Sequence, residues 1–275
     1  MMRRLLPLLL CSAGLFALPQ SILAAPAKPI RALLITGGCC HDYASQKQIL
    51  SEGLSKRLPV EWTIIHDVKM QDGKDVAASR DHVSSAYARE DWAKGFDVVV
   101  HDECYGAVKD PELLKRIATA HRTGTPAVFL HCAMHSYRTS DAADMWREWI
   151  GAKSTFHESQ AVLEVKNVEA KHPVMAGFPA SWKTPEPDEL YRVEKLWDSA
   201  IVLGSVYSEK AKADNPVIWV NKVGEVRTFA CSLGHGNKVV SSQEYLDLVG
   251  RGLLWVCGKL EANGKPVAGY EAPAK

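Results

Sequence analysis

The sequence predicts an α/β fold: a doubly wound, mostly parallel sheet with an added β-rich C-terminal part. Three observations predict it. Continuous apolar runs of strand length recur through the first half of the chain, as they do in strands buried on both faces. Single segments with helical apolar spacing separate these runs, which implies right-handed βαβ crossovers. Further on, short apolar runs follow one another without such helices until a last capped helix.

Ile30 to Ile35, closed by Gly37-Gly38, reads as the first strand. Ile49, Leu50, Gly53, Leu54 and Leu58 then recur at helical spacing before Pro59 stops the helix. Val60 to Ile65 is the second strand. The polar stretch from Lys69 to Ser85 reads as a long loop, a kind of segment that often carries function. Phe96 to Val100 is the third strand. Asp110-Pro111 supplies an N-cap with proline at the first helical position, and Gly124 closes that helix. Ala127 to Leu130 is the fourth strand. Ala161 to Val165, Ala200 to Val206, Val217 to Val220 and Val226 to Phe229 read as further strands, the last two joined by a turn at Lys222 to Gly224. Ser241-Ser242-Gln243-Glu244 has the form of a capping box. It opens a closing helix with Tyr245, Leu248, Val249, Gly252, Leu253 and Val256 on one inward face.

The chain's 275 residues, 47% hydrophobic and 24% charged, suit one globular domain, read here as residues 28–260. Residues 261–275 are polar and contain Gly and Pro, and read as a loose tail. The opening MMRR, the apolar run Leu5 to Leu18 and the small residues after it predict a cleaved signal peptide over residues 1–27. The expected location is therefore periplasmic or secreted. That run is too short to span a bilayer comfortably, so no membrane span is expected. The formal charge is +1, and with Arg3 and Arg4 in the leader the remaining chain is near −1. Nothing in that balance suggests nucleic acid.

All four early strands end alike. GGCCHD ends in His41-Asp42, WTIIHD in His66-Asp67, VVVHDE in His101-Asp102-Glu103, and VFLHCAMH in His131 and His135. Open parallel sheets bind ligands outside the carboxyl ends of their strands. His66 and Asp67 follow a strand that is usually an outer one in a flavodoxin-like order, and stay out of the predicted site. Glu103 is either a buried acceptor for a neighbouring loop or a general base whose pKa a desolvated cleft raises. His131 and His135, with His41 and Glu103, are candidate ligands for a divalent transition metal, although no HExxH motif is present. Arg138 and Tyr137 either bind hydroxyls or fasten the loop after the fourth strand. Trp219 and Tyr191 either stack on a sugar face or belong to the core. Gly234-His235-Gly236 precedes the closing helix, whose N-terminus favours negative charge nearby.

Cys39, Cys40, Cys104, Cys132, Cys231 and Cys257 remain beyond the leader, with no CxxC pair among them. Leu130-His131-Cys132-Ala133-Met134-His135 resembles the Gly-x-Cys-x-Gly-His nucleophile elbow of class I glutamine amidotransferases in its cysteine and histidine and lacks both glycines. Those glycines permit the tight turn. The resemblance therefore carries the fold, a class I glutamine amidotransferase-like sheet, further than the glutaminase chemistry.

From Ile30 to Gly258 the chain resembles the ThuA-like, or trehalose-utilisation, family. LLITGGCCHDY, HCAMHSYR, HPVMAGFP with DELYRV, NPVIWVNKVGEVRTFACSLGHG and GLLWVCG carry the likeness. It implies a link to carbohydrate utilisation and to oxidised (3-keto) glycosides. Carried over on matching segments, it implies a site with His41, Asp42, His131, Glu189, Tyr191 and His235. The vicinal Cys39-Cys40 and Cys132 depart from that pattern.

The leading expectation is an enzyme, a hydrolase or lyase, converting a small 3-keto glycoside. His41, Glu103, His131 and His135 are its candidate catalytic residues. Asp42, Tyr43, Asp102, Cys132, Tyr137, Arg138, Glu189, Tyr191, Trp219 and His235 are its candidate contacts to a small carbohydrate ligand. The rival expectations are a non-catalytic sugar-binding protein and a cysteine-dependent hydrolase or thiol–metal site.

Overall fold

The structure, a computed structural model, describes residues 27–71 and 74–273. The signal peptide read over residues 1–27 thus falls almost wholly outside the described residues. Five strands form the parallel half of a ten-stranded sheet: β1 (Ile30–Gly38), β2 (Val60–Gln71), β4 (Val98–Cys104), β5 (Ala127–Leu130) and β12 (Val226–Cys231). Across the sheet they run β2-β1-β4-β5-β12. Counted along the chain, this is the 2-1-3-4-5 order of a flavodoxin-like sheet, whose switch point lies between β1 and β4. The order β12-β11-β10-β7-β8 continues the sheet with antiparallel pairs, using β7 (Glu164–Asn167), β8 (Ser181–Lys183), β10 (Ile201–Ser208) and β11 (Ala213–Val223). A separate two-stranded ribbon pairs β6 (Ala152–His157) with β9 (Tyr191–Leu196).

Helices cover both faces of the parallel half. On one face α1 (Tyr43–Ser55) and α5 (Gln243–Val256) bury Leu50, Leu54, Leu248, Val249 and Leu253 against Leu34, Val100 and Phe229. On the other, α2 (Pro111–Arg122) and α3 (Asp144–Ile150) bury Leu114, Ile117, Trp146 and Trp149 against Leu33, Val99 and Phe129. Asp110 caps α2 as expected, its side chain accepting from the Glu112 amide with Pro111 at the first turn.

The sequence reading needs correction in four places. Residues read as a loop from Lys69 instead lengthen β2 to Gln71 and return as β3 (Lys74–Ala77), an antiparallel partner at the sheet's edge. Edge strands need no continuous apolar run, so a polar sequence hid this one. The third strand extends to Cys104 because His101, Asp102 and Glu103 all lie on it and find partners in the interior. The cap of α5 is Ser242 rather than Ser241: residues Asn237–Ser241 form their own short helix α4, and the Ser242 hydroxyl accepts from the Tyr245 amide at 3.4 Å. Ser242→Ala is expected to lower stability by about 1 kcal/mol, readable as a fall in Tm. Finally, the segment read as a loose tail folds back. Leu260 bridges Pro266, the Val267 amide donates to the Lys259 carbonyl, and Lys259 Nζ sits 4.8 Å from the centre of the Tyr270 ring. No helix among the described residues is long and apolar enough to cross a membrane.

Candidate functional site

The switch point carries the site. At the end of β1, Gly38 has φ +101°, and a Cβ there would run into the Cys104 carbonyl oxygen. Only glycine therefore lets β1 end this close to β4. The chain then turns through Cys40, at φ +87°, and His41 to Asp42, which caps α1 through the Ser45 amide. Beyond β5 the turn is equally sharp: His131 has φ +39° and opens a single 3-10 turn through His135. The strained position of the elbow thus falls on His131, not on Cys132.

His41, His131, Glu189 and His235 converge. One ligand atom from each lies within 4.8 Å of all the others. Glu189 is the hub, with Oε2 3.5 Å from His131 Nε2 and Oε1 3.3 Å from His235 Nδ1 and 3.6 Å from His157 Nε2. The His41 ring packs edge-on to His131 and His235, with centres 4.6 and 4.8 Å away. His131 and His235 are held from behind. The Ser232 carbonyl can only accept, so at 2.7 Å it fixes the proton of His131 on Nδ1 and leaves Nε2 facing the cluster. Asp188, fully buried, accepts from the Gly234 and His235 amides and orients that loop. Gln160 Nε2 sits 2.8 Å from His235 Nε2.

Burial, with repulsion from His131 and His235, pushes the His41 pKa down to about 2, so its ring is neutral. Burial and the nearby Arg138 cation likewise bring His135 to about 2. Glu189 is driven the other way: burial opposes its charge, but the contacts with His131 and His235 outweigh this and hold it well below the usual carboxylate range. The Glu189 contact raises His235. Imidazole nitrogens around an ionised carboxylate form a donor set suited to a divalent transition metal. Nδ1 of His41 is also buried without a hydrogen-bond partner. The residues present therefore fit such an ion.

A pocket of about 110 Å³ opens beside the cluster, lined by His41, Arg80, His135, Arg138, His157 and Tyr191 among others. Tyr191 forms its floor, stacked on the His135 ring at 3.8 Å. A second depression, about 390 Å³, lies across His41 and His235 and takes in Asp42 and Asn237. A larger cleft, about 960 Å³, lies at the opposite strand ends around Arg31, Asp97 and Lys259. No histidine lines it, and its Arg31 and Asp97 are paired with each other.

Several expected site residues lie elsewhere. Glu103 is fully buried on the other face of β4, where its carboxylate accepts from Tyr87 Oη at 2.6 Å and lies 3.1 Å from His101 Nδ1. It neither lines the pocket nor belongs to the cluster. Glu103→Gln is accordingly expected to leave KM unchanged while lowering stability by about 1–2 kcal/mol; a collapse of turnover in folded protein would return it to the site. Asp102 is buried against Thr36, whose hydroxyl donates to it at 2.9 Å. Trp219 is wholly core, its indole donating to the Ile150 carbonyl, and Tyr137 packs edge-on to Trp146. Tyr43 is buried behind His41, beside Cys104 and Cys132. His135 lines the pocket but binds Ser154 Oγ and is not one of the converging four. Cys132 lines the pocket but is 5% exposed and bridged to Cys104, so it offers no free thiol as nucleophile. His66 and Asp67, set aside from the sequence, bind Lys47 and Ser85 away from the pocket. The sequence reading missed His157, Gln160, Asp188 and Arg80. Only Asp188, inside the DELYRV segment, carried any signal.

A doubly wound α/β scaffold with histidines and a carboxylate at its switch point defines the class of this protein. The chain belongs to the ThuA, or trehalose utilisation, family, whose model matches residues 32–256. Among solved structures, it resembles the protein described as ThuA-like from Parabacteroides merdae ATCC 43184, with a TM-score of 0.64 and 18% identity over 90% of this chain and 98% of that one. A ThuA-like counterpart from Bacteroides uniformis ATCC 8492 gives 0.61 and 15%, covering 84% and 93%. The β-galactosidase from Rahnella sp. R3 gives 0.52 and 12%, covering 83% of this chain but 32% of that enzyme, a likeness of fold alone. No curated protein matches the sequence.

Proposed function

We propose that this chain is an exported enzyme of carbohydrate utilisation that opens a small 3-keto glycoside by β-elimination, assisted by a divalent transition metal. The observation that carries the reading is the convergence of His41, His131, Glu189 and His235 within 4.8 Å at the sheet's switch point. Membership of the trehalose utilisation family supports a sugar substrate. Two disulfides, Cys39–Cys40 and Cys104–Cys132, suit an oxidising compartment and support export.

The four converging residues would hold the metal, which when bound supplies Lewis-acid polarisation of the substrate ketone. A ketone acidifies the neighbouring C–H bond. His157, 40% exposed at the pocket and held through Nδ1 by the Glu158 carbonyl at 2.8 Å, takes that proton on Nε2. The electron pair left behind forms a C=C bond as the glycosidic C–O bond breaks, and His157 returns its proton to the departing oxygen. Arg138 and the Tyr191 edge bind hydroxyls and hold the ring across the pocket.

The test is elemental analysis of protein purified without added metal or chelator, with turnover of a methyl 3-keto-glucoside followed by enone absorbance. The expected result is about one transition metal per chain and enone formation, both lost in His131→Ala. Protein that carries no metal and leaves the keto-glucoside intact overturns the proposal.

A further inference from the structure

The mechanism above uses none of the four cysteines around the pocket, and their arrangement is ordered. Cys40 is exposed, Cys39 is half-buried, and Cys104 and Cys132 are each 5% exposed. Cys39 is bridged to Cys40 and Cys104 to Cys132. The two bridges meet where Cys39 Sγ lies 3.8 Å from Cys104 Sγ. The backbone fixes that approach: Gly38 pairs with Cys104 across β1 and β4, and the Cys39 amide donates to the Cys104 carbonyl at 3.4 Å. On the outer side Arg80 Nη2 stands 3.7 Å from Cys40 Sγ. A guanidinium there attracts an incoming thiolate and stabilises the one that Cys40 becomes. An accessible bridge beside a cation thus abuts an inner bridge whose two cysteines are each 5% exposed.

We propose that these four cysteines form a thiol–disulfide exchange site whose substrate is a dithiol, with the electrons passing inward from Cys40 to Cys132. One thiolate of the dithiol attacks Cys40 Sγ, breaking the Cys39–Cys40 bond and releasing Cys39 as a thiolate. Cys39 attacks Cys104 Sγ, forming Cys39–Cys104 and expelling Cys132, which takes up a proton. The second thiolate of the reductant attacks its partner sulfur in the mixed disulfide and releases Cys40, which is also protonated. The dithiol leaves as a disulfide, having given up two electrons and two protons. Two protein thiols and a relocated bridge hold what it lost.

The experiment uses the full protein purified without reductant, treated with limiting dithiothreitol, alkylated, and mapped by mass spectrometry under non-reducing conditions. The expected two-electron product carries a Cys39–Cys104 cross-link with alkyl groups on Cys40 and Cys132. A product that keeps Cys104–Cys132 and is alkylated on Cys39 and Cys40 overturns the relay. So does protein with four free thiols at the outset, or with bridges that dithiothreitol leaves untouched. As a second measurement, Cys39→Ser should slow reduction of the inner bridge at least about tenfold; an unchanged rate overturns the proposal.

Discussion

Glu189→Gln should lower turnover of a 3-keto glycoside by at least about 100-fold, the low end of what a positioned acid/base and its partners contribute. The substitution keeps the shape of the side chain and removes its charge. That charge faces three imidazoles, His131, His157 and His235, at 3.3 to 3.6 Å. The variant therefore loses an anionic ligand and the negative charge beside His157 Nε2. His235, raised by Glu189, should titrate lower once the carboxylate is gone. With no metal bound, the stabilisation from this raised value is fully present below the ordinary histidine value of 6.5 and is lost as pH rises from there through the raised value. The variant's stability should respond less to pH in that window. Steady-state turnover, metal content and thermal melts at several pH values check this. A folded Glu189→Gln enzyme with turnover within a few-fold of wild type would remove Glu189 from the mechanism.

Asp102→Asn should act in the opposite sense and raise stability at neutral pH. Burial, opposed by the Thr36 hydrogen bond and reinforced by nearby Glu103, lifts the Asp102 carboxyl to about 8. Between its ordinary value of 3.8 and that raised value, the folded chain holds a proton that the unfolded chain has released. Stability therefore falls as pH rises through that window. Asparagine carries no such penalty and still accepts from the Thr36 hydroxyl. The expected gain at pH 7 is about 2–4 kcal/mol, shrinking to nothing near pH 4. Denaturant melts of both proteins at those two pH values decide it. A variant less stable than wild type at neutral pH would mean that the buried carboxyl is ionised and valuable.

The parallel half was legible because buried strands and amphipathic helices write their periods into sequence. Ala127–Leu130 and the Asp110-Pro111 cap appear in the structure as the sequence reads. His41 and His131 were legible for the same reason: each follows the last residues of a strand whose end is fixed by pattern. Glu103 was misplaced because a strand alternates its faces. Asp102 turns toward Thr36, and Glu103 toward Tyr87 and His101. Three ionisable residues in a row thus point to two different interiors, and none of the three enters the pocket. His157 left no mark because it ends a short ribbon strand, β6, whose register with β9 is irregular. Glu189 was reached only through the family resemblance, since no local period leads to a residue set by antiparallel returns from far along the chain, whereas His235 was also marked by its place between a strand and the closing helix.

The seam of the sheet has one more consequence. On one side of β12 the neighbour β5 runs parallel, and on the other β11 runs antiparallel. His41 and His131 descend from the parallel half, whereas Glu189 leads into β9 of the ribbon beside the antiparallel half, and His235 stands just past the seam strand itself. A cation held between these four would act as a rivet through two plates. Its binding energy would be spent partly on keeping the plates together. Stripping the metal should then loosen the antiparallel plate first, as faster amide exchange in β7, β8 and β10, while the parallel plate keeps its protection.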